Sequence, residues 1–536
     1  MSRRIGIAAL IWALGTLLSR FIGLGREAAF GRIVGGGQAA DIYVAAFTLP
    51  NFLNYLLAAG ALSIVFIPLF AEHLAKGNED KAWETFSVIS TAVALMLTVA
   101  TGLLWLAVPS IDAWMYAGFP DEARIQLDAM TRVLLPAQIF HVLGGLLSAA
   151  LQARDRHFLP AMTSVVYNAS IILGGLIGGA EHGAWGFVWG VLVGSVLGPF
   201  GLPLIGCLRM GLRYRFMLRW TQDLKAYLWR SLPIMLGFSV VVVDDWLLMS
   251  NGANLEEGSV ATLMYAKNLL RVPMGVFGLA LGAAAYPTLS RLIAENRAQD
   301  AYRTLEISTA RMLILALGAQ IALTASGTEI AAVIYGQRLL PGQHEAIGVA
   351  LGIFGLGLWA WAAQTVLARG FYAKGQTWIP TALGTAVIAI LWPLYTWLGA
   401  AYGTIGLASA STIAISVYVF TLVVALRRSF APARDGLGAF ALRAAPTVAV
   451  GLVVAIGARW ALHLWYPPGI TGWVASVGAQ AGLPSAATVG ALVQGSVLTI
   501  LALSVYGGTS FILKVLGFKD TLNLLTRRMR RRPVAP

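Results

Sequence analysis

The feature that most limits what this chain can become is its succession of fourteen apolar stretches, roughly 5–34, 38–70, 84–108, 123–151, 159–179, 184–208, 232–250, 259–289, 305–335, 345–370, 378–399, 403–426, 438–466 and 486–517. A helix needs about 20 apolar residues to cross the hydrocarbon core of a bilayer. Each stretch therefore reads as a membrane-spanning helix, and those beyond 25 residues must tilt, kink or protrude. Only 12% of the residues are charged, against about 25% in soluble domains. With 58% hydrophobic residues and a mean hydropathy of +0.74, the chain cannot cover a water-facing surface. A soluble protein is excluded. The 59 glycines suit close approach of membrane helices.

Lys and Arg number 38 against 24 Asp and Glu, a net charge of +14. The excess falls in alternate loops. One side receives Arg3 and Arg4, His73 to Lys81, Arg154 and Arg156, Arg209 to Arg230, Arg291 to Arg303, Lys374, Arg427 to Arg443, and a tail running from Lys519 to Arg532. The other receives Asp112, Asp121, Glu122, Glu181, Glu256, Glu257, Glu329 and Glu345, with Arg338 as its cation. By the positive-inside rule the basic side is cytoplasmic, and both termini lie there, as an even number of helices requires. The positive charge is thereby accounted for without a nucleic-acid partner. Arg3-Arg4 precedes an apolar run, but no small-residue cleavage site follows and Arg20 interrupts the run. The first segment is expected to be a retained signal-anchor helix. The stretch 211–230 interleaves Arg with Trp, Tyr and Leu, and is expected to be an amphipathic linker helix on the cytoplasmic face. The single cysteine, Cys207, excludes an internal disulfide and a Cys-based metal cluster. The six His show no HExxH spacing and no Walker A motif is present. No metal, cofactor or catalytic residue is expected.

The chain also resembles itself. Residues 68–86, PLFAEHLAKGNEDKAWETF, align with 287–305, PTLSRLIAENRAQDAYRTL, at a shift of 219, so that Pro68 meets Pro287 and Trp83 meets Tyr302. Residues 151–160, LQARDRHFLP, align with 371–380, FYAKGQTWIP, at a shift of 220, pairing Pro160 with Pro380. Six helices separate equivalent points, so both halves share one orientation, which is the parallel-repeat plan of alternating-access transporters. The expected architecture is an all-α membrane protein with two pseudo-symmetric six-helix lobes around a central cavity. The first lobe is 1–210 and the second 231–430. Two further helices fill 431–518, and a basic tail occupies 519–536.

Ionisable groups inside a membrane are expensive, about 2.5–3.5 kcal/mol at the helix centre even on the mildest scale, and mark functional sites or paired charges. Arg20 and Arg26 sit in the first helix, followed by Glu27. Six residues apart, they lie about 240° from each other on an ideal helix, so a bend at Gly23 or Gly25 is needed to bring both to one cavity. Asn51 and Asn54 follow Pro50 three residues apart, a spacing that shares a helix face. The seventh stretch holds Asp244 and Asp245. The eighth holds Lys267, Asn268 and Arg271 at helical spacing, just before Pro273. Buried carboxylates need partners, and Lys267 or Arg271 is the available one. A cavity with this cationic balance suits an anionic head group, because the planar guanidinium donates paired hydrogen bonds to phosphate.

SRFIGLGREAAFGRIVGGGQAADIYVAAFTLPNFLNYLLAAGALSIVFIPLFAEH at 19–73 and MYAKNLLRVPMGVFGLALGAAAYPTLSR at 264–291 resemble the signatures of the MurJ (MviN) family of lipid II flippases, within the MOP transporter superfamily. The resemblance covers most of 1–430. It implies a flippase that moves an undecaprenyl-pyrophosphate-linked peptidoglycan precursor from the cytoplasmic to the periplasmic leaflet of the bacterial inner membrane. It also implies a groove for the lipid tail along helices 13 and 14, contact with membrane lipids, and cell-wall synthesis machinery as partner. A monomer is expected. Arg20, Arg26 and Asp41 fall on polar positions that the family uses, and Asn51 completes its Leu-Pro-Asn motif. The family pattern has Arg where this chain has Asn54, Glu where it has Ala59, and Tyr-Ala-Asp-Arg where it has Tyr265-Ala266-Lys267-Asn268. Two cavity arginines are thus absent, and Lys267 and Arg271 are expected to restore the charge from neighbouring positions. Asp245 fits a seventh-helix position where some relatives bind sodium, so Asp244 and Asp245 are the ion-coupling candidates. The run 378–399 adds no Asn, Asp or Glu to such a site.

The expected function is non-enzymatic flipping of lipid II by alternating access. Arg20, Arg26, Lys267 and Arg271 would face the pyrophosphate, with Asp41, Asn51, Asn54 and Asn268 as polar ligands. The alternatives are a MOP-type carrier of another polyprenyl-linked glycan or a small molecule, and a scaffold that kept the fold without transport.

Overall fold

The structure, a computed structural model, describes residues 2–58, 65–235, 240–432, 436–465 and 486–512, and among them every regular element is helical. The motif around Ala59, the connection 466–485 before the last helix, and the basic tail 519–536 lie outside the described residues. The chain divides into two compact units. One comprises Met1–Phe238, Ala253–Ala261 and Gln337–Leu340; the other comprises Ser239–Gly252, Thr262–Gly336 and Pro341–Pro536.

The first unit contains α1 (Ser2–Ile33), α2 (Gln38–Ala45), α3 (Thr48–Ala58), α4 (Ile67–Ala75), α5 (Glu79–Met115), α6 (Asp121–Leu134), α7 (Ala137–Gln152), α8 (Phe158–His182), α9 (Ala184–Ser195), α10 (Leu202–Leu208) and α11 (Gln222–Met235). The second contains α12 (Val240–Gly252), most of α13 (Ser259–Ala294), α14 (Ala298–Tyr335), α15 (Gln343–Leu356), α16 (Leu358–Ala373), α17 (Trp378–Phe430), α18 (Gly436–Trp465) and α19 (Ala486–Ile512). Eight helical runs among the described residues, or nine with α15 and α16 taken as one span bent by 41°, are long and apolar enough to cross a membrane. The chain is a multi-pass membrane protein; the figure of fourteen spans rests on the sequence.

Local chemistry explains the element boundaries. Asn78 caps α5 by accepting the Lys81 N–H at 3.0 Å, and Glu79 and Asp80 follow in the first turn, where negative charge suits the helix dipole. Between α9 and α10 the ladder widens over Val196–Gly201 around Pro199, which lacks the N–H a regular turn would use. On α8 and α9, Gly174, Gly178, Gly186 and Gly190 recur at four-residue spacing. A Cβ on Gly174 would meet the Gly186 carbonyl at 2.5 Å, so these two backbones pack at a distance only glycine permits.

The internal repeat is written into the backbone as well. Ten of the twelve described residues with positive φ fall in pairs: Gly35 with Gly258, Gly77 with Asn296, Asp155 with Gly375, Gly183 with Gly403, and Gly211 with Ala431. The shift is 219 or 220 in four pairs and 223 in the first. Each marks a helix end, so the two halves stop and restart their helices in register. The break between α6 and α7 likewise has its counterpart between α15 and α16.

Two expectations need correction. The linker is helical only from Gln222; residues 212–221 run extended beside α5. Ser87 Oγ accepts the Arg215 N–H at 3.1 Å and Tyr214 OH meets Thr91 Oγ1 at 3.0 Å, so hydroxyls of α5 satisfy polar groups of this segment. Its sequence, RYRFMLRW, sets Arg against an aromatic or aliphatic residue at near period two, a pattern of extended chain rather than of helix. Glu329, counted among the loop charges, is buried inside α14. It accepts from Gln494 Nε2 at 2.7 Å and lies 3.5 Å from Arg459 Nη1, a polar clamp that joins α14 to α18 and α19.

Candidate functional site

In the first unit, α1 runs unbroken through Gly23 and Gly25, so Arg20 and Arg26 are not brought to one face. Arg26 turns towards α8, donating to Asn168 Oδ1 at 3.2 Å and pairing with Glu27. Arg20 is half-buried, and no hydrogen bond or ion pair reaches it among the described residues. On α3, Asn54 donates to Gln138 Oε1 of α7 at 2.7 Å, which fixes its amide, whereas Asn51 is exposed. The chain turns between α2 and α3, and Pro50 lies in the first turn of α3, where its missing N–H costs no helical bond.

Asp41 is 3% exposed. Its carboxylate accepts the N–H of Gly258 at 2.7 Å and of Ala261 at 2.6 Å. These are orphan donors at the start of α13, so Asp41 acts as a cap supplied from another helix. Beside it, Glu257 accepts the Gln38 N–H at 2.8 Å, and Arg338 donates to the Ile33 carbonyl at 2.7 Å.

In the second unit the charges of α12 and α13 form one cluster. The Lys267 ammonium pairs with Asp244 and, at 2.5 Å, with Asp245, and lies 5.2 Å from the ring centroid of Trp361 on α16. Asp244 also accepts hydrogen bonds from the hydroxyls of Tyr395 and Ser411, the latter at 2.9 Å. Both are on α17. Asp245 accepts from Arg271 Nη2 at 2.5 Å, and Arg271 Nη1 donates to Asn268 Oδ1 at 2.8 Å. Two carboxylates and two cations balance. The Arg271 side chain is 40% exposed while that of Lys267 is 4% exposed, so the accessible positive charge of the cluster is carried by Arg271.

The partners Asn168, Gln138, Tyr395 and Ser411 were not among the sequence candidates. Asn168, Gln138 and Ser411 are polar residues within apolar runs, the same signal that singled out Asn51. Tyr395 carries no such signal, because tyrosine is common at lipid interfaces.

A family model described as Lipid II flippase MurJ matches residues 30–478. A relative from Rhizobium tropici named probable lipid II flippase MurJ is 28% identical over 429 residues, covering 77% of this chain and 79% of its own. A solved structure titled Lipid II flippase MurJ, inward closed conformation, superposes with a TM-score of 0.73 at 20% identity, covering 94% of this chain and 99% of that one. An inward-facing multidrug resistance MATE family transporter of the MOP superfamily superposes with a TM-score of 0.65 at 16% identity, covering 76% and 94%. At these identities the two superpositions establish the fold alone.

Proposed function

This chain belongs to the MurJ family of lipid II flippases, and from that premise we propose that it moves lipid II from the cytoplasmic to the periplasmic leaflet by alternating access, as a carrier and not an enzyme. The observation that carries this reading is the family match across residues 30–478. The chemistry of the binding residues supports it. The guanidinium of Arg20, and separately that of Arg271, is of the chemical kind that suits a pyrophosphate, because the planar fork donates paired hydrogen bonds. Arg26, steadied by Glu27 and Asn168, adds positive potential. Asn51, Asn54 and Asn268 supply hydrogen bonds to phosphate or sugar. Asp41 serves the site as the cap that holds the start of α13.

Asp244 and Asp245, the ion-coupling candidates, hold the Lys267 ammonium as their resident cation and need no exchangeable ion. The burial of Lys267 between two carboxylates supports this reading over direct contact with substrate. The protein works in the bacterial inner membrane as a monomer with both termini cytoplasmic. α18 and α19 line a groove for the polyprenyl tail, and the cell-wall synthesis machinery receives the product. Asn at positions 54 and 268 favours, as the second reading, a cargo with a different polyprenyl-linked glycan.

The test is translocation by the purified chain in proteoliposomes that carry lipid II in the inner leaflet. Time-dependent exposure of its head group to an impermeant reagent supports the proposal; exposure no faster than in empty liposomes rejects it. Translocation of another polyprenyl-pyrophosphate glycan in its place would establish the second reading.

A further inference from the structure

α17 turns sharply at Gly403, where φ is 59° and ψ is −136°, and its two arms, 378–402 and 404–430, fold back on each other. Their far ends meet. Tyr418 OH donates to the Pro380 carbonyl at 3.1 Å, and Lys374 Nζ donates to Ser429 O at 2.5 Å and to Ser429 Oγ at 2.9 Å. Between the arms at that end lies a groove of about 610 Å³. Its walls follow helical spacing: Ile379 and Leu383 on one arm, Phe420 and Val424 on the other, with Arg428 one turn further. Phe420 is 67% exposed, so the groove opens outward from the helix pair. From Phe420 to Arg428 the helix rises about 12 Å.

The polar end of the groove is already organised. Ser429 Oγ donates to Gln376 Oε1 at 2.8 Å, and the Lys374 ammonium is held over the Phe430 ring at 4.5 Å. Arg428 is exposed and makes no ion pair among the described residues. A slot of hydrocarbon side chains that ends in a guanidinium, with an ammonium nearby, matches an amphiphile whose anionic head adjoins a hydrocarbon chain. In a membrane-spanning protein the abundant molecule of that description is a phospholipid, and basic pockets between spanning helices recognise such head groups. A guanidinium can donate two parallel hydrogen bonds to a phosphodiester.

We propose that the slot between the two arms of α17 binds one anionic phospholipid of the bilayer, with its phosphate on Arg428 and an acyl chain between Leu383 and Phe420. The site is separate from the cluster on α12 and α13, and its existence does not depend on which lipid-linked cargo the protein carries.

Native mass spectrometry of the full chain, with phosphatidylglycerol and phosphatidylethanolamine at equal concentration, tests it. The wild type should retain one phosphatidylglycerol at least about fivefold more tightly than phosphatidylethanolamine. Arg428→Gln should remove that preference, because it takes away the charged donor. Ala425→Trp should fill the slot and abolish retention of both lipids; if that variant does not accumulate as folded protein, Val424→Phe takes its place. Arg291→Gln, at an exposed cation outside the slot, should change nothing. An unaltered preference in Arg428→Gln, retention by the filled slot, or an equal loss in Arg291→Gln would each overturn the proposal. Displacement of phosphatidylglycerol by undecaprenyl phosphate at equal concentration would overturn the chosen occupant and assign the slot to the carried lipid.

Discussion

Lys267 holds Asp244 in an ion pair from which solvent is excluded, the two side chains being 4% and 0% exposed. Neither charge has water as an alternative partner, and Asp244 has Lys267 as its counter-charge. Removing one member of a buried pair costs about 3–5 kcal/mol. Lys267→Met should therefore lower the abundance and melting temperature of the protein, and adding Asp244→Asn should restore much of the loss. Expression and thermal melting of the single and double variants measure this. A Lys267→Met protein as stable as wild type would show that the pair carries no such energy.

The same pair bears on ion dependence. With the ammonium of Lys267 between both carboxylates, no free cation is needed to balance them. Transport in proteoliposomes should change by less than about twofold when sodium is replaced by choline, since a cation that added even 1.4 kcal/mol would change it tenfold. Strict sodium dependence would contradict the role given to Lys267.

Arg271 can be removed without orphaning a carboxylate, because Asp245 keeps Lys267 at 2.5 Å. Arg271→Ala should leave abundance near normal and reduce transport by roughly 10- to 150-fold, the worth of a lost charged hydrogen bond of about 1.5–3 kcal/mol. The double change Asn268→Arg with Arg271→Ala should recover part of the activity, since positions three apart are neighbours on one helix face. A fall in abundance rescued by Asp245→Asn would instead make Arg271 a structural counter-charge.

The cap at Asp41 gives a graded expectation. Asp41→Asn keeps one acceptor for the Gly258 and Ala261 N–H groups, whereas Asp41→Ala keeps none. A lost cap costs about 1 kcal/mol, up to about 2. Asp41→Ala should thus melt lower than Asp41→Asn, and equal melting of the two would remove the capping role.

Much of this was legible in the residues. Apolar length identified a multi-pass membrane protein, though eight or nine spans among the described residues meet the length and apolarity test and not fourteen, and the Pro68–Pro287 and Pro160–Pro380 matches pointed to the repeat, because both are local patterns. The opposite charges at Asp244, Asp245, Lys267 and Arg271 announced their own pairing. The ligands of Asp244 on α17 did not, since Tyr395 and Ser411 lie 151 and 167 residues away and no local rule connects them. The unbroken course of α1 through Gly23 and Gly25 went against propensity alone, since glycine is a poor helix former in water. The extended segment at 212–221 was visible as alternation in RYRFMLRW, but the basic and aromatic composition pointed to an amphipathic helix.

Asp223 pins the end of that extended segment, accepting from Thr85 Oγ1 at 2.6 Å and meeting His73 Nε2 at 2.9 Å. Burial raises its pKa, but the hydrogen bonds from Thr85 and His73 outweigh it and hold the carboxyl below the usual aspartate range. A depressed folded pKa contributes stability that is fully present above the unfolded value, about 3.9, and is lost as pH falls through the lower folded value. The difference in melting temperature between wild type and Asp223→Asn should therefore not shrink as pH falls from about 8 to about 5, and should shrink only below about pH 3.9. Shrinkage between about pH 5 and about pH 7 would contradict this assignment.

The central claim is that this chain carries lipid II, and depletion complementation tests it most directly. In a bacterium whose own lipid II flippase is shut off, expression of this protein should sustain growth and cell shape. Arg20→Ala at equal abundance should fail, because it removes the half-buried guanidinium of α1. Lysis of the depleted cells despite normal membrane abundance of the wild-type chain would contradict the account.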